Sequence, residues 1–114
     1  MAGVPKRLAG PAQVSNAAAT KYTVPASTRT VVRHIHVQNP SGSAVTFTLS
    51  IGADAAGTRI LDAFSIPAAA AGVTESVKDW WCYYVLEAAE IIQAFAGTNN
   101  ILTLTIDGDV IALT

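Results

Sequence analysis

The residues of this chain best suited to chemistry are His34 and His36, which flank Ile35. In an extended strand, residues i and i+2 point the same way, so the two imidazoles share one face. That geometry suits a zinc or iron site, provided further ligands join the pair. The expected partner is a carboxylate a few residues on, but Val37, Gln38, Asn39 and Pro40 follow instead. The histidines therefore read as a polar or subunit-facing strand surface, with no metal or other cofactor expected.

Other chemistries find less support. Serines and threonines alternate with apolar residues or sit in turn-like stretches, and no G-x-S-x-G elbow occurs. Cys82 lies among Trp80, Trp81, Tyr83 and Tyr84 with no activating base beside it, so it reads as a buried, inert thiol. The glycines form no G-x-x-x-x-G-K phosphate cradle. The carboxylates are spread along the chain. Asp107-Gly108-Asp109 resembles a piece of a calcium loop, but a full loop needs more oxygen ligands in sequence. A hairpin turn is the better reading there. These residues point to no catalytic site, and the expectation is a protein that is not an enzyme.

The aromatic run Trp80 to Tyr84 offers binding rather than catalysis. Adjacent residues on a strand face opposite ways, so one tryptophan is expected in the core and the other at the surface or an interface. Aromatic residues are enriched at protein interfaces. An exposed ring stacking on a sugar is the alternative use.

Elements must position these residues, and the chain has room for one domain: 114 residues and 11.8 kDa. Hydrophobic residues make up 51%, much of it alanine, while charged residues make up only 13% against about 25% in an ordinary globular protein. So little charge, with a net value of -1, suggests that other subunits cover part of the surface. It also argues against nucleic acid as a partner, because phosphate binding needs clustered Lys and Arg. Only Lys6 and Arg7 sit together. No stretch approaches the roughly 20 apolar residues of a membrane span. The start, MAGVPKRLAGPAQ, has no hydrophobic run of secretory type, and one cysteine allows no internal disulfide, so synthesis in a cytoplasm is expected.

Residues 1–19 are rich in Ala, Pro and Gly without a sustained period, and read as an extended arm laid on a neighbouring subunit. Leu8 and Val14 are its expected contacts, with Lys6 and Arg7 as polar anchors. From residue 20 to 114 the pattern has period 2. Lys21–Val24 is a short strand stopped by Pro25. Arg29–Gln38 is a longer one, with His34 and His36 sharing a face with Thr30 and Val32. Asn39-Pro40-Ser41-Gly42-Ser43 is a turn. Val45, Phe47, Leu49 and Ile51 then alternate with Thr46, Thr48 and Ser50, which calls for one buried and one polar face. Extended pieces follow at Arg59–Leu61, Ala63–Ile66, Val73–Val77, Asp79–Leu86, Ile91–Phe95, Leu102–Ile106 and Val110–Leu113, with a loop at Ala68–Ala71 and a turn at Glu87–Glu90. About eight to ten short strands with turn chemistry between them indicate an all-β, jelly-roll-like antiparallel β-sandwich.

The stretch Lys21-Tyr22-Thr23-Val24-Pro25-Ala26-Ser27-Thr28, followed by Val31 to Asn39 and the turn into Val45-Thr46-Phe47-Thr48-Leu49, resembles small virion proteins of tailed bacteriophages. That group usually continues to a Leu-Glu-Ala-Gly-Glu-like turn. This chain has Leu86-Glu87-Ala88-Ala89-Glu90, with Ala89 in the glycine's place. The resemblance covers most of residues 20–110 and rests on backbone and packing motifs. It implies a non-enzymatic β-sandwich of the virion, of capsid-decoration or minor-tail type. Such a subunit would assemble as a homo-oligomer and bind major capsid or tail proteins. Expected interface residues are Lys6, Arg7, Leu8, Val14, His34, His36 and Trp81. The alternative function is a carbohydrate-binding module of the particle, contacting a host surface glycan. A cupin-like metalloenzyme is the remote rival.

Overall fold

The computed structural model describes residues 3–69 and 76–113. They form eight strands and no helix: β1 (Val4–Gln13), β2 (Ala19–Thr23), β3 (Thr28–Gln38), β4 (Val45–Ile51), β5 (Arg59–Ile66), β6 (Val77–Leu86), β7 (Ile91–Ala96) and β8 (Thr103–Ala112). Two four-stranded antiparallel sheets pack face to face as a β-sandwich, the first ordered β1-β8-β3-β6 and the second β2-β7-β4-β5. The pairing is nested: β1 with β8, β2 with β7, β3 with β6, and β4 with β5.

Alternation builds the core. Ile35, Val37, Leu104 and Ile106 of the first sheet meet Phe47, Leu49, Ile92 and Ala94 of the second, all buried. Turn chemistry joins the strands as their residues require. Asn39 is fully buried after β3, and its Nδ2 donates to the carbonyls of Ser43 (2.8 Å) and Ile66 (3.1 Å). Its Oδ1 accepts from the Ser41 amide and hydroxyl, which closes the turn into β4.

Four expectations change. First, residues 4–13 are not an arm standing apart from the sandwich. Val4–Gln13 is an edge strand of the chain's own first sheet, and Leu8 and Val14 are buried in its core. Pro5 and Pro11 suit this place, because an edge strand leaves main-chain positions with no partner to satisfy. Second, Asp107-Gly108 is not a hairpin. It lies inside β8, which runs unbroken through both expected pieces. A Cβ on Gly108 would stand 2.1 Å from the Val31 carbonyl oxygen, so glycine there serves close strand approach rather than a turn. Third, the outer face of β4 is covered beyond Thr46: Thr46 is exposed as expected, but Thr48 and Ser50 are buried about as fully as Leu49. The Thr48 hydroxyl accepts from the Ala63 amide (3.0 Å), and that of Ser50 donates to Asp54 (2.7 Å), so burial leaves neither unpaired. Fourth, Arg59–Leu61 and Ala63–Ile66 belong to one strand, β5, with a positive φ of 48° at Ala63, where the second piece begins. The strand expected over Val73–Val77 is described only from Val77. Ser76 is a bend before it, and residues 73–75, with residues 70 and 71 of the expected loop, lie outside the described residues.

Candidate functional site

A bulge in β3 sets the site. The register of β3 shifts between Val32 and His34 against both neighbours: against β8 the extra residue is Arg33 of β3, whereas against β6 the extra residue lies on β6, between Trp81 and Tyr84. One extra residue changes the phase of the strand. Strict alternation would have placed Val32 beside the histidines. Instead Val32 joins Ile35 and Val37 in the core, while His34 and His36 stand half-buried on the outer face.

The neighbouring strands then bring acids to that face. Asp79 of β6 lies opposite His36, and Asp107 of β8 lies opposite His34. Asp79 Oδ1 accepts from both rings, from His34 Nε2 at 2.7 Å and His36 Nδ1 at 2.6 Å. His34 Nδ1, on the other side of its ring, is 3.9 Å from Asp107 Oδ2. Asp107 is in turn 3.9 Å from the Arg7 guanidinium on β1. The imidazole of His34 is further held by Trp81, stacked on it with centroids 4.0 Å apart. The two imidazoles, His36 foremost, hold the Asp79 carboxyl below the usual carboxylate range.

One band of side chains thus crosses all four strands of the first sheet: Arg7, Asp107, His34 with His36, then Asp79 with Trp81. Of the residues expected at an interface, Arg7, His34, His36 and Trp81 meet here. Lys6 is exposed on the edge strand β1. Leu8 and Val14 are buried in the core of the chain's own fold.

Beside this band, β6 carries an apolar surface. Trp81 and Tyr83 are 79% and 65% exposed, and Val85 and Tyr84 are exposed as well. Arg33 lies over the Tyr83 ring and pairs with Asp109 at 3.0 Å. Trp80 turns the other way, packing edge-on against Phe64 and alongside Phe47. Cys82 also points inward, its thiol 3.6 Å from the Val32 carbonyl and only partly buried. Burial pushes the thiol pKa up, which makes it a poorer nucleophile at neutral pH.

The acids are what the sequence reading missed. Asp79 and Asp107 stand far along the chain from the histidines, and the carboxylate sought after His36 arrives instead from β6. The available signal was that Asp79 and Trp81, two apart, share a face of β6. Which strand that face adjoins is a matter of pairing. Among the described residues no cavity is enclosed. No family model, curated protein or solved structure matches the chain.

Proposed function

We propose that this chain is a non-enzymatic structural subunit of a tailed-phage virion, assembling with copies of itself on the capsid or tail. The observation that carries the reading is the free edge of β6. Among the described residues β6 pairs with β3 alone, and it is ten residues long without Pro or Gly. A long open edge is a template for pairing with another chain, and proteins blunt such edges unless they use them. The other edges are shorter or more interrupted: β1 holds Pro5 and Pro11, β2 has five residues, and β5 is irregular at Ala63, whereas β6 carries one extra residue between Trp81 and Tyr84 and no proline. The partner we infer is a second copy, because a symmetric pair of β6 strands would cover both open edges at once and bring Tyr83 and Val85 together. The low charge of the chain favours the same outcome. The nested strand pairing supports a jelly-roll-like roll, which has eight strands in two Greek keys. The sequence resemblance supplies the virion setting.

Light scattering on the purified chain tests assembly. A dimer or higher species that Tyr83→Lys with Val85→Lys reduces to monomer supports it; a wild-type chain that stays monomeric at high concentration sinks it. Antibody labelling of purified particles tests the virion setting.

One observation favours a second reading, binding of a host glycan: Trp81 is among the most exposed side chains. Its indole has one face against His34, which leaves a single face for a sugar. A glycan array with the wild type and Trp81→Ala decides it, and equal signals from both would end it.

A further inference from the structure

The His34–His36–Asp79 cluster has a use that assembly does not need. One candidate ligand atom from each of the three residues lies within 4.8 Å of the other two, and His34 Nε2 and His36 Nδ1 are the nitrogens that face Asp79. A tetrahedral zinc ion, with bonds near 2.0–2.2 Å, sets its donors about 3.3 Å apart. The 2.6 and 2.7 Å contacts of Asp79 must open by about 0.7 Å, and the widest spacing, up to 4.8 Å, must close by as much as about 1.5 Å, at the ends of partly exposed side chains. The geometry around His34 is of the kind that ligating histidines show. A metal-bound imidazole has its other nitrogen facing a carboxylate or carbonyl, which fixes ring and tautomer. Here Asp107 stands 3.9 Å from Nδ1 on the far side of the ring, and Trp81 stacks on its plane. The Trp81 stack already sets the ring plane, while Asp107, too far at 3.9 Å for a hydrogen bond, must close by about an ångström to hold the proton on Nδ1.

We propose that His34, His36 and Asp79 bind one borderline divalent cation of the zinc class on the outer face of the first sheet, with Asp107 and Trp81 positioning His34. Two imidazoles and one carboxylate suit zinc, nickel or copper, whereas calcium takes six to eight oxygens and magnesium keeps an octahedral oxygen shell. In the bound state each ring has its proton on the nitrogen away from the ion, which for His34 is the one facing Asp107. Three protein ligands leave a tetrahedral ion one open position, directed to solvent. The inference does not depend on assembly in a virion.

The test is calorimetric titration of the tag-free, chelator-treated full chain with zinc, and separately with magnesium. The second measurement is quenching of Trp81 fluorescence by copper, read against Trp81→Phe. The expected result is one zinc per chain, no magnesium heat, and saturable quenching that Trp81→Phe removes. His34→Ala and His36→Ala weaken zinc binding by more than about a hundredfold, beyond the range of an outer partner. Asp107→Asn weakens it about tenfold, as loss of such a partner does. Asp109→Asn, on the same face but paired with Arg33, leaves it unchanged. Thermal melts without metal verify that each variant is folded, and His36→Gln replaces any that is not. Failure of the wild type to bind zinc at one per chain, or wild-type affinity in a folded His36 variant, overturns the proposal.

Discussion

The rings of His34 and Trp81 lie flat against each other, with centroids 4.0 Å apart and planes within 10°. They are direct cross-strand partners of β3 and β6. The stack has one ring half-buried and the other largely in water, so it orients His34 without anchoring the fold. The adjacent Trp80, by contrast, is packed between the sheets' side chains against Phe47 and Phe64. The two tryptophans therefore separate in stability. Trp81→Ala is expected to change the unfolding free energy by under about 1 kcal/mol, and Trp80→Ala to lower it by about 3 kcal/mol. Urea unfolding of both variants checks this; equal costs would contradict the assigned faces.

Leu8 distinguishes an intramolecular strand from an arm. On an arm its truncation would leave the isolated domain untouched. As a core residue of β1, Leu8→Ala is expected to cost about 2–3 kcal/mol in the same unfolding assay. Deleting residues 1–13 removes β1 whole, uncovers β8 and should leave a chain that aggregates or fails to fold.

Gly108 sits where β8 passes under the Val31 carbonyl. A methyl group at 2.1 Å from that oxygen forces the strands apart. Gly108→Ala is expected to cost at least about 2 kcal/mol, within the range of overpacking in a close-packed interior. A turn glycine in a hairpin would give a milder effect and no change in β3–β8 amide protection, which hydrogen exchange reads directly.

Ala89 holds a φ of 71° in the turn between β6 and β7, where the Ala89 amide donates to the Val24 carbonyl. Left-handed backbone costs an L residue roughly 1–2 kcal/mol that glycine avoids. Glycine gives some of this back through a freer unfolded chain. Ala89→Gly is expected to raise stability by about 0.5–1 kcal/mol, seen as a higher melting temperature.

Asp54 sets a low-pH dependence. Arg59 grips both its oxygens, Nε to Oδ1 at 2.9 Å and Nη2 to Oδ2 at 3.0 Å, and the Ser50 hydroxyl donates to Oδ1. Arg59 foremost, then Ser50, hold this carboxyl below its ordinary value. A depressed carboxylate stabilises the fold fully above its unfolded-state value, near pH 4, and the contribution disappears as pH falls through the lower folded value. Asp54→Asn should therefore lower the melting temperature at neutral pH and narrow its gap to the wild type as the solution is acidified. A gap that widens in acid would contradict this ion pair.

Local pattern was enough for most of the strands and for their buried faces where alternation is unbroken. Val45 to Ile51 and Leu102 to Ile106 announce their buried sides, because alternation is a local property of extended backbone. The same rule required Trp80 and Trp81 to face apart, and His34 and His36 to face together. Tertiary structure alone decided which tryptophan is outside, and that Asp79 and Asp107 are the acids beside the histidines. It also decided that residues 4–13 close the sheet and that Val32 parts company with His34. Each of these depends on register between strands distant in the chain and on the bulge at Arg33. Register is set by the sum of core packing across both sheets, and no local pattern of residues encodes that sum.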